Sequence, residues 1–218
     1  MQFLTSNNTL KIILILLGLL FLSHLSINFL LRKLLTVDMI YDEMTKFIEP
    51  NQVINLLHKQ VSSTNYMQFV KLFIFLLLRI CFVFFCLAVG LQLTGVSYQN
   101  LDLFKAAIIA DYAFLVPKIL KYLWFEVIQT QYSLPDLRNY NDYSLVQLLN
   151  LSSTDLWLEY PLRVINIFEV FFIIMITFSI REIYERSYLY RLKFVCLTYG
   201  SGLVIYTIIL AFVGMSLS

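Results

Sequence analysis

The stretch Met67–Leu93, MQFVKLFIFLLLRICFVFFCLAVGLQL, decides the fold class of this chain. Its only charged residues are Lys71 and Arg79. About 20 helical residues cross the hydrocarbon core of a bilayer, so this run is long enough to do so. The apolar residues are continuous rather than alternating, which favours a helix over a strand of a barrel. The stretch therefore predicts a transmembrane helix.

The composition of the whole chain fits the same class. Hydrophobic residues make up 60% and charged residues 14% of 218 residues, with a mean hydropathy of +0.77, well outside the range of an ordinary soluble domain. We predict one all-α polytopic domain over residues 1–218, in the inner membrane if the cell is bacterial. The five predicted spans cover about residues 10–31, 67–93, 104–129, 162–180 and 194–217, with polar connections at 32–66 and 130–161.

The first polar connection contains two candidate short helices that lie on the membrane surface. Residues 38–47 and 51–59 have amphipathic patterns, and Pro50 separates them. In the second connection, Asp142 is positioned to cap another short helix, and Trp157 and Tyr160 suit an aromatic belt.

Two small-residue features concern the spans themselves. Thr94-Gly95 predicts a turn after the second span. Thr198 and Gly202 form a pair of small residues four apart on the last span, which suits close contact with a neighbouring helix.

Basic residues give the orientation. Arg181, Arg186, Arg191 and Lys193 lie in a short hairpin between the last two spans, and such residues favour the cytoplasmic side. Lys and Arg in 32–66 favour the opposite arrangement, but the hairpin is more compact and adjoins two helix ends. We therefore expect a cytoplasmic N-terminus and an exported C-terminus.

The candidate functional residues are the charges at membrane depth. They are intramembrane polar candidates because an ionisable side chain in lipid needs a partner, a water-filled cavity or a route to the interface. One interpretation is a polar centre that lines a route for an ion or small ligand; the other is a set of ion pairs and snorkelling lysines that fix helix register. The candidates are Arg79, Asp111, Lys118, Lys121 and Glu169.

Three of these candidates, together with Glu126, interrupt the third predicted span. At about 100° per residue, Asp111 and Lys118 lie about 20° apart on one face, with Lys121 and Glu126 on either side. This pattern predicts one polar stripe facing away from lipid. Pro117 should bend the helix.

Signatures of an enzyme, a metal site or a cofactor are missing from the sequence. It has no H-E-x-x-H, G-x-S-x-G, P-loop or dinucleotide fingerprint, and its two histidines, His24 and His58, lie on different segments. We expect no enzyme and no cofactor, and His24 is expected to be a hydrogen-bonded packing residue. The net charge of +2 gives no indication of nucleic acid. The expected partners are membrane lipid and other membrane proteins or a second copy of the chain.

The hairpin Arg181-Glu182-Ile183-Tyr184-Glu185-Arg186 allows two interpretations. Its basic residues suit acidic lipid headgroups. Its alternating charge equally suits a solvated loop that needs no partner, and we favour this second interpretation.

From about residue 66 onward the chain resembles the integral membrane domain of the Yip1 family. The resemblance rests on Leu103-Phe104-Lys105, Asp111-Tyr112-Ala113 and Pro117, then a Leu-rich connection, Asn166-Ile167-Phe168-Glu169-Val170 and Tyr199-Gly200. It implies a five-span bundle with a cytoplasmic N-terminus. Family members are membrane adaptors in vesicle traffic or, in bacteria, uncharacterised membrane proteins, and no catalytic residue carries over. The long soluble N-terminal segment of the eukaryotic members has no counterpart here.

Two functions follow as expectations. The first is a non-enzymatic adaptor or subunit that contacts other membrane proteins or lipid. The alternative is a transporter or permease subunit with a polar site at Asp111, Lys118 and Glu169, which would need to oligomerise or join a larger complex.

Overall fold

The computed structural model describes residues 2–46, 49–138, 140, 162, 164 and 166–217, and these are almost entirely helical. The helices are α1 (Gln2–Lys33), α2 (Val37–Met44), α3 (Pro50–Leu93), α4 (Asn100–Asp111), α5 (Leu115–Leu123), α6 (Leu134–Arg138), α7 (Ile167–Ser179) and α8 (Tyr188–Leu217). A 3₁₀ turn, Tyr112–Phe114, joins α4 to α5, and a π-helical segment, Trp124–Ile128, follows α5.

Among the described residues, three helices are long and apolar enough to cross a membrane: Asn8–Lys33, Met67–Leu93 and Tyr188–Ser216. Ile167–Ser179 is a shorter apolar helix. The all-helical prediction is therefore confirmed for the described residues, with three candidate spans. The predicted fifth span is longer than expected at its start, because α8 begins at Tyr188 rather than near residue 194.

The connection before the second span differs from the prediction. Residues 51–59 do not form a separate short helix but belong to α3, which is continuous from Pro50 to Leu93. No Gly or Pro interrupts the chain between residues 51 and 89, so nothing in the backbone requires a break there. The short helix predicted over 38–47 is present as α2, which is capped by the Thr36 hydroxyl. The helix predicted after Asp142, as well as Trp157 and Tyr160, lies outside the described residues.

The turn predicted at Thr94-Gly95 is confirmed. The amide of Gly95 donates to Gln92 O and the amide of Val96 donates to Leu91 O, both at 3.1 Å. This pair of hydrogen bonds is a Schellman motif, which requires a left-handed residue after the helix. Gly95, with φ of 70°, supplies that conformation without steric cost.

The chain divides into two compact units. The first contains the described residues among 1–20, 79–114 and 141–218. Within it α7 packs against α4, the 3₁₀ turn and α8. The face that α4 buries is rich in alanine, which lets backbones approach closely; it comprises Ala106, Ala107 and Ala110 together with Leu103 and Ile108.

The contact of α8 with α3 in this unit involves the small pair predicted from the sequence. A Cβ added at Gly202 would overlap the Cys86 sulfur, and one added at Gly90 would overlap the Thr198 methyl group. Thr198 and Gly202 therefore face α3 at close range, and this prediction is confirmed.

The second unit contains residues 21–78 and 115–140. Its hydrophobic cluster has Phe125, Leu34 and Leu137 at the centre, and α2 packs against α6 nearby. The Phe125 ring lies 5.0 Å from the Tyr132 ring, centroid to centroid, and the Tyr132 hydroxyl donates to Leu34 O at 3.2 Å. These contacts connect the end of α1 to the segment after the π helix.

Candidate functional site

An ion pair joins Arg79 on α3 to Asp111 at the end of α4 in the first unit. Nε of Arg79 lies 2.5 Å from Oδ1 of Asp111, and Nη2 lies 2.5 Å from Oδ2. The Asp111 side chain is 1% exposed and that of Arg79 is 33% exposed. Two parallel charge-assisted hydrogen bonds fix both distance and orientation. The partner that Arg79 was expected to need is therefore Asp111.

The backbone explains why Asp111 ends its helix. The ring of Pro117 clashes with the carbonyl four residues earlier in a regular α-helix and its nitrogen cannot donate. The chain tightens into the 3₁₀ turn Tyr112–Phe114 just before this proline, and Pro117 falls in the first turn of α5, where no N–H bond is lost. The interruption expected at Pro117 is present, and it leaves Asp111 as the last residue of α4.

Aromatic rings extend the site from Arg79 towards α8. The guanidinium carbon lies 4.2 Å from the centroid of the Phe114 ring, a cation–π distance. Phe114 stacks on Phe172 with centroids 4.9 Å apart, and Phe172 lies 5.1 Å from the Tyr199 ring. The Arg79 guanidinium therefore contacts the Asp111 carboxylate and also the Phe114 ring, which is stacked on Phe172.

Glu169 is the second buried carboxylate of this unit, and its hydrogen-bond partner is Tyr199. The Tyr199 hydroxyl donates to Oε1 of Glu169 across the contact between α7 and α8. Asn166 caps α7, and its side-chain oxygen accepts from the Glu169 amide at 3.0 Å. The cap places Glu169 in the first turn, where the helix dipole favours a negative charge.

The two carboxylates belong to one electrostatic group. Glu169 interacts favourably with Arg79 and unfavourably with Asp111. The polar centre proposed from the sequence has Asp111 and Glu169 facing Arg79 or Lys118. The structure brings Arg79, Asp111 and Glu169 together, whereas Lys118 contacts His24 and Asn28. The sequence did not identify Tyr199 or Phe114 as members of the group; uncharged aromatic residues in apolar spans give no signal of their own.

Lys118 and Lys121 have their partners in the second unit. Lys118 Nζ lies 3.2 Å from Nδ1 of His24 and donates to Oδ1 of Asn28 at 3.2 Å. His24 is buried, so it is the hydrogen-bonded packing residue expected from the sequence. Lys121 Nζ donates to Leu137 O at 2.8 Å and lies 5.7 Å from the centroid of the Tyr140 ring.

The continuous helix assumed for the predicted polar stripe on the third span is interrupted, and the prediction is wrong for Glu126. Asp111 ends α4, whereas Lys118 and Lys121 lie on α5, beyond the 3₁₀ turn. A 3₁₀ residue turns by about 120° rather than 100°, so the three residues of the turn shift the angular position of Lys118 relative to Asp111 by about 60° from that in a regular α-helix. Glu126 lies in the π-helical segment and is exposed rather than turned inward.

No group of three or more His, Cys, Asp or Glu side chains able to hold a metal ion occurs in the described ranges 2–46, 49–138 and 166–217. A cavity of about 370 Å³ opens between the α3–α4 connection and the turn after α7. Its lining is Ser97, Tyr98, Gln99, Asp102, Glu182 and Ile183.

No model of a known protein family, no curated protein and no solved structure matches this chain.

Proposed function

We propose that this chain is a non-enzymatic, multi-pass membrane protein, similar to the Yip1 family, that acts as an adaptor or subunit by contacting other membrane proteins or lipid. The observation that carries the proposal is the contrast between its charges and its apolar faces. The five candidate charges, Arg79, Asp111, Lys118, Lys121 and Glu169, have partners within the chain, while large apolar side chains on the long helices are exposed.

The pairing of the charges counts against an open polar route. Arg79 is held by Asp111, and Glu169 by Tyr199. Lys118 and Lys121 donate to groups of their own unit. Groups that are hydrogen-bonded in this way stabilise helix contacts, and they would have to be separated before they could bind a solute.

The exposed apolar faces suit lipid and the helices of a partner protein. Phe75 and Phe85 on α3 and Phe212 on α8 are 70%, 63% and 68% exposed. Side chains of this kind pack against either acyl chains or another transmembrane helix. An adaptor or subunit that works through protein contacts requires that at least one such face is covered by a specific protein.

The test is photo-crosslinking in the native membrane, with p-benzoylphenylalanine in place of Phe75, Phe85 or Phe212. The matched control carries the same residue in place of Phe172, which is fully buried. We expect one discrete adduct with a second protein from at least one exposed position and only intrachain products from the control. Lipid adducts alone at all three exposed positions would contradict the adaptor proposal.

Transport by a permease subunit is the alternative, and one observation favours it. Glu169 lies close enough to Arg79 and Asp111 to interact with both, so three ionisable groups share one region. Lys118, which also belonged to the candidate transport site, has its hydrogen bonds in the second unit. If this chain transports, Asp111→Asn should abolish solute flux in liposomes; flux that is absent or unchanged counts against transport.

A further inference from the structure

Glu169 on α7 is a buried acidic residue whose direct partner is uncharged. It is 6% exposed, and its Oε1 accepts from the hydroxyl of Tyr199, which is itself 3% exposed. Among the described residues, Oε2 has no hydrogen-bond partner, and no basic side chain forms an ion pair with Glu169. An ionised carboxylate is costly to bury without an ion-pair partner, and such a group takes up a proton instead of remaining charged.

Asp111 is a second buried acid in the same unit, and its surroundings are the opposite. Its side chain is 1% exposed, but both of its oxygens accept from the Arg79 guanidinium. The paired positive charge and the two hydrogen bonds favour the ionised form of this carboxyl group. Two carboxyl groups whose environments differ in this way take different protonation states. The geometry therefore separates an ionised Asp111 from a protonated Glu169.

Arg79 does not take the place of the proton on Glu169. Its Nε and Nη2 both donate to Asp111, and its guanidinium carbon lies 4.2 Å from the centroid of the Phe114 ring. Glu169 is attracted by the charge of Arg79 and repelled by that of Asp111. Because these two opposite charges lie side by side, their effects on Glu169 oppose each other.

The other groups near Glu169 do not supply a positive charge. The Glu169 amide donates to the Asn166 side chain at 3.0 Å, so this amide is not available to the carboxyl group. The dipole of the first turn favours a negative charge, but by less than the cost of burying an unpaired carboxylate. Tyr112, in the 3₁₀ turn that packs against α7, donates to Leu16 O at 3.4 Å. The titratable side chains that face Glu169 or its Tyr199 partner in the described part of the chain are Arg79 and Cys86 on α3, Asp111 on α4 and Tyr199 on α8.

We propose that Glu169 is a proton-binding site, with a proton on Oε2 at neutral pH while Asp111 remains ionised beside Arg79. The proton comes from water and returns to water, so one O–H bond forms on Oε2 when it binds and breaks when it leaves. The Tyr199 hydroxyl donates to Oε1 in both states. Release of the proton therefore places a negative charge at the contact between α7 and α8. The site goes beyond the adaptor function and does not depend on a protein partner.

Infrared spectroscopy of the full chain in bicelles at neutral pH measures the site, because the C=O stretch of a protonated carboxyl group is separate from the bands of a carboxylate. Glu169→Gln keeps the size of the side chain and an oxygen that accepts from Tyr199, but it cannot bind the proton. Glu126→Gln makes the same change at an exposed glutamate and is the matched control. Isotope labelling of the carboxyl carbons, of all glutamates or separately of all aspartates, assigns the band in the unaltered chain.

We expect the unaltered chain to show a protonated-carboxyl band that is lost in Glu169→Gln and kept in Glu126→Gln. Labelling of the glutamates should shift this band, and labelling of the aspartates should leave it in place. If Glu169→Gln does not fold, the labelling decides. The proposal is overturned if the unaltered chain lacks the band, if Glu169→Gln leaves it unchanged, or if aspartate labelling shifts it instead. None of these results affects the crosslinking test of the adaptor function.

Discussion

The Arg79 guanidinium and the Asp111 carboxylate meet edge to edge, with two N–O distances of 2.5 Å, although the two residues are 32 positions apart in the chain. Desolvation of the two charges is costly, and the ion pair offsets that cost only while both partners are present. α3 and the end of α4 are therefore tied at one register. The Phe114 ring packs against the Arg79 guanidinium, and Phe172 stacks on Phe114.

The hydrogen bond between Tyr199 and Glu169 should make a measurable contribution to stability. Tyr199→Phe leaves a carboxylate that is 6% exposed without its donor. We expect the free energy of unfolding to fall by about 1–3 kcal/mol. Denaturant unfolding in detergent measures it, and Tyr206→Phe is the control, because Tyr206 is on the same helix and also contacts Phe82 but is 43% exposed. Equal effects of the two variants would contradict the role of the Tyr199 hydroxyl.

The close contact of α8 with α3 predicts opposite outcomes at two glycines of one helix. Gly202→Ala places a methyl group against the Cys86 sulfur, whereas a methyl group at Gly200 meets no atom within 4 Å. Overpacking should cost Gly202→Ala about 1–3 kcal/mol of unfolding free energy. Gly200→Ala should be neutral or stabilising by up to about 1 kcal/mol, because alanine favours helix. Thermal unfolding in detergent compares the two; the reverse order would show that the contact is not formed.

The start of α6 gives a pH-dependent prediction outside the candidate spans. The Ser133 hydroxyl and amide donate to Asp136 at 2.7 and 2.8 Å, and these hydrogen bonds hold the pKa of the Asp136 carboxyl below its ordinary value of 3.8. The cap is therefore present above the ordinary pKa and is lost as the pH falls through the lowered pKa of the folded state. Ser133→Ala should raise the pKa of Asp136, as followed by NMR titration of its carboxyl carbon. Ser97→Ala is the control, and an unchanged Asp136 titration in Ser133→Ala would show that the cap is not formed.

Membrane topology is tested by two engineered cysteines. Ser97 and Glu182 are exposed to the same cavity, so their connections lie at one face, and the number of crossings between them is even. The five-span proposal places residue 133 across the membrane from residue 97, whereas the three long spans alone place both on one side. We expect Ser97→Cys and Ser133→Cys, each in a background without the native cysteines, to react with an impermeant maleimide from opposite sides. Reaction from the same side would rule out five spans.

Some of this architecture was predictable because a single physical rule determines it. Arg79 in an apolar run needs a partner at membrane depth, and Asp111 and Glu169 were the acids available to it. The identity of Tyr199 as the partner of Glu169 was not predictable, because a phenol in a span is compatible with packing alone. It becomes a hydrogen-bond donor only through the contact of α7 with α8.

Two predictions failed for local reasons: the separate short helix over 51–59 and the polar stripe that included Glu126. The polar residues of the first connection suggested a short helix over 51–59 that ends before the second span, yet α3 continues through them, and no Gly or Pro between residues 51 and 89 interrupts it. The polar stripe assumed an uninterrupted α-helix from Asp111 to Glu126. The 3₁₀ turn before α5 and the π segment after it change the angular phase twice over that range.

The most direct test of the central claim, that the buried charges hold helices together, is a double-mutant cycle on Arg79 and Asp111. Arg79→Met and Asp111→Leu should each lower the unfolding free energy in bicelles by roughly 3 kcal/mol, because each leaves one charge unpaired. The double variant should return to within about 1 kcal/mol of the unaltered chain, since two apolar side chains replace the pair. Lys71→Met combined with Asp111→Leu is the additive control. If the effects of the Arg79 and Asp111 substitutions simply add, the pair does not tie the helices and the account is contradicted.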